Sequence, residues 1–280
     1  MKWKLTLGSL LFLAASANWA SAQTPFAGTW KLNLQRSQLA GDTMTFGPAE
    51  GQAIELQAGG AKYSFRIDGS MYRMATGDLA AWRQVDASTW STQYCKPDGK
   101  PLETTVWKLS SDGSTLTVMT SGTKPNGKEF TDTSVYARTA GTSGLLGSWK
   151  STEVVLSAPD ELTITGNGLD GLSIQIPSTK TSILGVFNGK DAVPSGPDVP
   201  PGLTVALKRV GPSSFRLVEK INGFVAYSSI YSMSEDGKTL TQTGNSPGDP
   251  VQTAVWEKQY PAAPADPPSG SKTQTAQAPR

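Results

Sequence analysis

The sequence predicts an all-β protein made of two tandem antiparallel up-and-down β-barrels. Three observations lead to this prediction. Short motifs recur about 120 residues apart, brief segments alternate apolar and polar residues, and Asp-Gly or Asn-Gly pairs separate those segments. No segment after residue 22 has the apolar spacing of an amphipathic helix.

An internal repeat sets the organisation of the chain. The matching segments are 28–31 (GTWK) with 147–150 (GSWK), 110–117 (SSDGSTLT) with 234–241 (SEDGKTLT), and 135–138 (VYAR) with 255–258 (VWEK). A period of this length corresponds to a small domain, whereas solenoid repeats span roughly 20–50 residues. We therefore expect one barrel over residues 23–141 and another over 142–260, with segment 141–144 at their boundary.

Each copy consists of short strands separated by tight turns. Residues 63–67 (YSFRI) and 203–208 (LTVALK) alternate with period two, which places one strand face in a core and the other in water. Asp-Gly and Asn-Gly pairs allow the positive φ of hairpin turns. The pairs are Asp68-Gly69, Asp98-Gly99, Asp112-Gly113, Asn126-Gly127, Asn188-Gly189, Asn222-Gly223 and Asp236-Gly237. A meander of roughly eight to ten strands is expected to close on itself because open edges promote aggregation.

Two features of this organisation stay open. Strands of the two copies might pair with each other and form one larger barrel, because consecutive strands need not remain within a copy. The second copy also carries an additional proline-rich loop, residues 194–201, which has no counterpart in the first.

Both ends of the chain differ from the barrels. Lys2 and Lys4, an apolar run and the Ala20–Ala22 cleavage site predict a signal peptide over residues 1–22. Cysteine is missing from the cleavage site, so we expect a soluble protein, periplasmic or extracellular, without a lipid anchor. Residues 261–280 are rich in Pro, Ala, Ser, Thr and Gln and lack large apolar side chains, which predicts a disordered tail.

Composition excludes several classes of function. The chain has 25 basic and 23 acidic residues, no basic cluster and no apolar run of membrane-spanning length, so neither a nucleic-acid partner nor an integral membrane segment is expected. Histidine is absent, which removes Ser-His-Asp and Cys-His catalysis and His-ligated metals. Cys95 is the single cysteine and is expected to be a partly buried strand residue.

Carboxylates are the remaining candidates for catalysis, and turn chemistry explains most of them. Asp160-Glu161 and the pair Asp78 and Asp86 lie in predicted turns, where Asp accepts backbone hydrogen bonds. Glu55 and Glu219 are expected on the wet faces of strands. We therefore predict no catalytic residue, metal site or cofactor and no enzymatic activity, although a buried carboxylate pair facing a pocket would favour an enzyme.

Residues 26–32 (FAGTWKL) resemble the first strand of the calycins, which include lipocalins and fatty-acid-binding proteins, and residues 135–138 resemble the last fatty-acid-binding-protein strand. In that group the first-strand Trp closes one barrel end, and a last-strand cation packs across its ring, a contact contributing roughly 0.5–2 kcal/mol. The resemblance implies calycin-like barrels, each with a Trp–cation clasp. The predicted clasps are Trp30 with Arg138 and Trp149 with Lys258.

A closer resemblance is to lipocalin-like repeat units of secreted bacterial proteins of unassigned function, carried by residues 28–33, 188–190, 234–241 and 255–258. It implies a barrel and export but no known ligand. Fatty-acid-binding proteins hold the lipid carboxylate with an Arg two residues before the final aromatic residue, where this chain has Ser134 and Ala254. Residues 35–42 are too short for their portal helices. A fatty acid held in that way is not expected.

The first copy is richer in aromatic residues, which predicts an aromatic-lined pocket in its barrel. Its expected ligand-binding residues are Tyr63, Phe65, Arg66, Tyr72, Trp82, Trp90 and Trp107. Arg66 or Arg73 would orient a polar head group. The predicted function is that of an exported non-catalytic binding protein for a small apolar or amphipathic ligand. The alternative is an envelope structural or protein-interaction module with filled barrels and no ligand; the sequence names no protein partner.

Overall fold

A computed structural model describes residues 24–260, apart from the side chain of Thr142. The predicted signal peptide (1–22) and the predicted tail (261–280) lie outside these residues. Within residues 24–260, no helix has the length and apolar character needed to cross a membrane.

Strands account for nearly all regular structure. A 3₁₀ helix spans Glu50–Gln52. The strands are β1 Gly28–Leu32, β2 Thr43–Pro48, β3 Ile54–Ala58, β4 Ala61–Phe65, β5 Met71–Arg73, β6 Leu79–Gln84, β7 Thr89–Cys95, β8 Pro101–Leu109, β9 Thr115–Thr123, β10 Glu129–Ser143, β11 Leu146–Val155, β12 Glu161–Gly166, β13 Gly171–Ile176, β14 Thr181–Val186, β15 Asn188–Ala192, β16 Leu203–Gly211, β17 Ser214–Ile221, β18 Phe224–Met233, β19 Thr239–Asn245 and β20 Gln252–Gln259.

The strands form two antiparallel ten-stranded sheets, each curled into a nearly closed barrel. Barrel one has the order β4-β3-β2-β11-β10-β9-β8-β7-β6-β5, and barrel two has the order β14-β13-β12-β1-β20-β19-β18-β17-β16-β15. The prediction of an all-β fold with two tandem antiparallel barrels is therefore confirmed. The alternative of one joint barrel is not the arrangement formed.

The two repeats exchange their first strands. Strand β1 of the first repeat pairs with β12 and β20 of the second, and β11 of the second pairs with β2 and β10 of the first. The predicted ranges 23–141 and 142–260 therefore do not coincide with the two sheets. The reason is that residues 141–144, where we expected the boundary between the barrels, belong to a tight hairpin. This hairpin keeps β11 beside β10 in the sheet of barrel one.

The additional proline-rich loop closes barrel two. Ser195 in this loop forms an isolated antiparallel bridge with Ser182 of β14. The Ser182 amide donates to the Ser195 carbonyl at 2.8 Å, and the Ser195 amide donates back at 2.9 Å. This bridge joins the edge strand β14 to the loop that precedes β16.

Each barrel has its own hydrophobic core, which lies toward the end formed by the β10–β11 hairpin in barrel one and by the β16–β17 turn in barrel two. The largest fully buried side chains are Trp30, Trp82, Trp149, Phe26, Phe46, Phe65, Phe215, Leu116, Ile164, Leu172, Leu207 and Leu240. At the opposite end of each barrel the inward positions become polar. In barrel one they include Tyr94, Glu103 and Thr105, and in barrel two Glu219, Tyr227 and Ser229.

The polar ends of the two barrels meet at a region that we call the junction. Two crossover segments, 33–42 and 156–160, run through it from one sheet to the other. Lys124 Nζ donates to Asp160 Oδ1 at 3.0 Å, and the Asn126 amide donates to the Ser178 carbonyl at 3.3 Å. On another side, the Thr43 amide donates to Asp249 Oδ1 at 2.9 Å.

Candidate functional site

The four residues of the predicted clasps form two clasps, but in the exchanged pairing. The Arg138 guanidinium carbon lies 4.0 Å from the centre of the Trp149 ring, and Lys258 Nζ lies 5.3 Å from that of Trp30. The predicted pairs Trp30–Arg138 and Trp149–Lys258 are wrong because the first strands have changed places. Each indole also donates to a backbone carbonyl four residues earlier, at 3.0 Å.

Five of the predicted ligand-binding residues lie together inside barrel one. Trp82 stacks on Phe65 with 4.3 Å between ring centres and lies 5.0 Å from Trp107. Trp82 Nε1 donates to the Tyr63 hydroxyl, and burial raises the pKa of Tyr63 to about 12. Trp90 is buried in the same core and faces Trp107 across β7 and β8. These side chains therefore contact one another, so the rings fill the space that was expected to hold a ligand.

The remaining predicted ligand-binding residues lie outside this stack. Arg66 is exposed at the end of β4, so it does not point a charge into the core. Tyr72 packs partly against the core, but its hydroxyl donates to Asp68 at 2.9 Å. Arg73 is exposed and donates to the Gly77 carbonyl at 3.1 Å.

Four clefts lie along the junction instead. Each is bordered by both barrels or by a crossover segment. One of them, which we call the junction cleft, has about 700 Å³ of empty volume, part of it open to solvent. It is lined by Asp78, Lys96, Leu102, Glu103, Thr123, Lys124, Pro125, Phe130, Thr179 and Asp198.

One wall of the junction cleft joins barrel one to the proline-rich loop of the second repeat. Lys96, directly after β7, lies 3.6 Å from Asp78 Oδ1 and donates to the Asp198 carbonyl at 3.4 Å. Asp78 is only 8% exposed. Among the described residues, neither Oδ1 of Asp78 nor Oδ1 of Asp198 accepts a hydrogen bond, but each forms an ion pair, with Lys96 at 3.6 Å and with Lys100 at 3.9 Å. The extra loop of the second repeat thus contributes a carboxylate to the mouth of the first barrel.

Glu103 provides a further carboxyl in the junction cleft. It lies on β8 directly opposite Tyr94 of β7. Burial, and then the nearby charge of Asp132, raise the pKa of Glu103 above its ordinary value. Burial also raises the pKa of Tyr94, with a further contribution from Glu103. None of the salt bridges formed within residues 24–260 includes Glu103.

Barrel two contains a second glutamate–tyrosine pair across neighbouring strands, with the two residue types exchanged between the strands. Glu219 of β17 faces Tyr227 of β18, at the strand positions that hold Tyr94 and Glu103 in barrel one. Glu219 is half-buried on the inward face of β17, so the expectation that this residue is on a wet strand face is wrong, and burial raises the pKa of its carboxyl. The reason is the strand period: Phe215 and Leu217 point inward, and Glu219 follows them on the same face.

The carboxylate of Asp42, in the first crossover segment, contributes to the pKa of a tyrosine in each barrel. Burial and the neighbouring charge of Asp249 raise the pKa of Asp42, although Gln252 donates a hydrogen bond to it at 2.6 Å. The Asp42 charge contributes, after burial, to the raised pKa of Tyr136 in barrel one, which reaches about 12. It also contributes to the raised pKa of Tyr227 in barrel two, after burial and Glu219.

The other residues considered from the sequence have structural partners. Asp86 accepts hydrogen bonds from Ser88 in an exposed turn, and Asp160 pairs with Lys124. Glu161 pairs with Lys31 in the β1–β12 ladder through its backbone. Cys95 is a free, buried thiol, and across residues 24–260 no group of three His, Cys, Asp or Glu side chains is arranged to hold a metal ion.

Comparisons with known proteins add no relative: no protein-family model, no curated protein and no solved structure matches the chain.

Proposed function

We propose that the protein is an exported, non-catalytic binding protein for a small amphipathic ligand, which occupies the junction cleft. The observation that carries the proposal is a concave site between the two barrels, in which the apolar side chains Leu102, Pro125 and Phe130 lie beside several charged groups. Concave sites with mostly apolar walls and a few converging polar groups are the usual form of small-molecule sites.

The proposal places the ligand outside the aromatic core of barrel one. Phe65, Trp82 and Trp107 are in ring contact, and their neighbours satisfy the indole N–H groups of both tryptophans. A ligand there would have to separate packed rings and break those hydrogen bonds. Because protein cores are packed as densely as organic crystals, such displacement is unfavourable.

Both repeats contribute side chains to the junction cleft. Barrel one supplies Leu102, Glu103 and Phe130, while the second repeat supplies Asp198 from its proline-rich loop and Thr179 from the β13–β14 turn. A ligand at this position would therefore contact both barrels. The sequence left catalysis open for a buried carboxylate pair facing a pocket, but Asp78 and Asp198 lie beside the ammonium groups of Lys96 and Lys100. Carboxylates held in ion pairs fit a structural or binding role better than a catalytic one, so an accessible site between the two barrels supports capture of a solute.

Native mass spectrometry of protein purified from its own host tests the proposal. We expect the wild type to carry a small bound molecule and Thr179→Trp to lack it, because the new indole side chain would fill the junction cleft from the barrel-two side. Ser213→Trp is the matched control, since Ser213 is exposed in the β16–β17 turn at the opposite end of barrel two. Retention of the ligand by Thr179→Trp, or release of a chemically altered molecule, would contradict a non-catalytic site in this cleft.

The filled core of barrel one favours a second candidate function, the envelope structural or interaction module without a ligand. This alternative predicts that protein purified from its host carries no bound small molecule. It also predicts that Thr179→Trp and Ser213→Trp behave alike.

A further inference from the structure

We propose that the open edge of β4 in barrel one binds residues 268–270 from the tail of a second copy of this chain. The segment would add a short strand to the sheet through backbone hydrogen bonds, with Ser269 opposite Lys62. No residue of β4 lines the junction cleft, so this site is independent of the proposed ligand.

The corresponding edge in barrel two is covered by the chain itself. Ser182 of β14 exchanges two backbone hydrogen bonds with Ser195, which belongs to the segment Pro194-Ser195-Gly196 at the start of the proline-rich loop. A Cβ on Gly196 would lie 3.1 Å from the carbonyl oxygen of Lys180, so glycine allows the close approach. This edge therefore accepts a serine that supplies one amide and one carbonyl, followed by glycine.

Barrel one leaves the equivalent edge uncovered. Lys62 of β4 lies 120 positions before Ser182, which is the spacing of the repeat. The connection between β5 and β6 has five residues, 74–78, whereas the one between β15 and β16 has ten, 193–202. The shorter connection closes on itself through a 2.8 Å backbone hydrogen bond between its first and last residues. Among the described residues, none forms a backbone bridge to Lys62 on this side.

The edge of β4 presents free backbone groups. Gly59 and Gly60, with φ +55° and +74°, form a two-residue hairpin turn between β3 and β4. Beyond such a turn alternate residues direct their N–H and C=O groups away from the partner strand, which here are Lys62 and Ser64. The Lys62 side chain pairs with Glu55 at 3.4 Å on the outer face of the sheet, so it leaves the edge accessible.

The tail carries the peptide chemistry that covers the edge in barrel two. Residues 268–270 repeat the sequence Pro-Ser-Gly of residues 194–196. Proline has no amide hydrogen to donate, so the serine is the residue of this motif that can exchange both hydrogen bonds with an edge strand. Placing Ser269 opposite Lys62 therefore reproduces the pairing of Ser195.

The proline of the motif adds apolar contact. Pro194 is buried, and one position along the antiparallel register from the serine bridge it comes opposite Ile183, a residue of the barrel-two core. In the same register Pro268 would come opposite Tyr63, which is half-buried and packs against the barrel-one core. The added strand would thus cover an aromatic ring at the open side of the barrel.

The length of the chain favours a tail from another copy. Strand β20 leads away from the junction and rises roughly 23 Å over its eight residues. Strand β4 begins beside the junction, where a Cβ on Gly60 would lie 3.5 Å from Pro247. The nine steps from Tyr260 to Ser269 span at most roughly 30–32 Å when fully extended, so a tail returning along its own barrel would be taut before it paired. A second copy is free of this restriction.

Disulfide trapping in the mature protein tests the proposal. Lys62→Cys and Ser269→Cys are made in separate copies, mixed and oxidised mildly, because directly opposed strand residues are close enough for a disulfide. We expect a covalent pair of chains joined through these two positions. Thr275→Cys, six positions further along the tail, is the matched control and should cross-link at least about fivefold less. The native Cys95 is buried. Equal cross-linking of Ser269→Cys and Thr275→Cys would overturn the proposal.

Sedimentation of the uncross-linked mature protein provides the second measurement. Strand addition by so short a segment is weak, so we expect association with a Kd of roughly 0.1–1 mM. Ser269→Pro removes the pairing amide and should stay monomeric, whereas Thr275→Pro should associate like the wild type. A wild type that is monomeric up to that concentration, or a disulfide formed within one dilute chain carrying both Lys62→Cys and Ser269→Cys, would rule out a second copy as the occupant.

Discussion

Lys258 packs over Trp30 although the two residues belong to different repeats. Lys258 Nζ lies 5.3 Å from the centre of the Trp30 ring, and the two residues are register partners between β20 and β1. Arg138 and Trp149 have the same relationship between β10 and β11. Each barrel is thus completed by the first strand of the other repeat, so one repeat of the sequence does not correspond to one barrel.

The exchange predicts which fragments of the chain fold. Residues 43–155 contain all ten strands of barrel one in one continuous piece, whereas residues 24–141 lack β11 and carry β1, which belongs to barrel two. We expect fragment 43–155 to unfold cooperatively and fragment 24–141 to lack cooperative unfolding, because a missing central strand leaves two unpaired edges.

Thermal melts followed by circular dichroism compare the two fragments directly. They are similar in length, so chain length does not explain a difference. A cooperative transition for 24–141 equal to that of 43–155 would mean that the first repeat can close a barrel with its own first strand.

The two clasps should differ in strength. Arg138 packs on Trp149 and also donates to three backbone carbonyls, those of Gly113, Gly144 and Leu146, each at 2.7 Å. Arg138→Ala is expected to lower the free energy of unfolding by about 2–4 kcal/mol, since it removes a cation–π contact and charge-assisted hydrogen bonds. Lys258→Ala, which loses chiefly the ring contact, is expected to cost about 0.5–1 kcal/mol.

Urea denaturation measures both variants, and Arg138→Lys separates their causes. Lysine retains the charge but not the fork of donors, so we expect an intermediate loss. Equal effects of Arg138→Ala and Lys258→Ala would show that the backbone hydrogen bonds of Arg138 contribute little.

Glu219 should make the protein less stable as the pH rises. Burial raises its pKa in the folded state, so the folded protein binds this proton more tightly than the unfolded chain does. The stabilising contribution is therefore fully present below the unfolded-state pKa and is lost as the pH rises through the folded-state pKa. We expect Glu219→Gln to be more stable than the wild type at pH 7 and to lose that advantage at pH 4.

Glu257 provides the control with the opposite sign. Hydrogen bonds from Asn33 and then Arg36 lower the pKa of this exposed carboxylate, so its contribution is present above the unfolded-state pKa and is lost as the pH falls. Glu257→Gln should therefore destabilise the protein at pH 7 and approach the wild type in acid. Urea midpoints across pH 4–8 give both trends, and parallel trends would contradict the contrast between the two sites.

Local patterns in the sequence were sufficient to predict the strands and the turns, and the resemblance to the calycins implied the Trp–cation contacts. They could not predict the strand exchange, because Thr29-Trp30-Lys31 and Ser148-Trp149-Lys150 offer nearly the same side chains to either partner sheet. The geometry of the hairpin decides the pairing. Gly147 has φ +133°, and a Cβ there would collide with the Ala140 carbonyl, so the close approach of β10 and β11 depends on glycine.

The candidate site was harder to predict because its residues are distant in the sequence. Lys96 and Asp198 are 102 positions apart and meet only when the two barrels come together. No short motif marks such a meeting. The inward position of Glu219 was available from the strand period, since Phe215 and Leu217 precede it on the same face, but a charged residue between Val218 and Lys220 suggested a wet face.

The aromatic core of barrel one should accept a ligand only after a ring is removed. Trp82 is fully buried, stacked on Phe65, and donates to Tyr63. Trp82→Ala is expected to lower the free energy of unfolding by about 3–5 kcal/mol, because it leaves a cavity and an unpaired hydroxyl. Indole should bind in that cavity and restore part of the loss, and it should not stabilise the wild type. Melting temperatures with and without indole measure this, with Phe224→Ala, at an exposed position of barrel two, as the control for nonspecific binding. Stabilisation of the wild type by indole to the same extent would mean that the interior of barrel one already has room for a ligand.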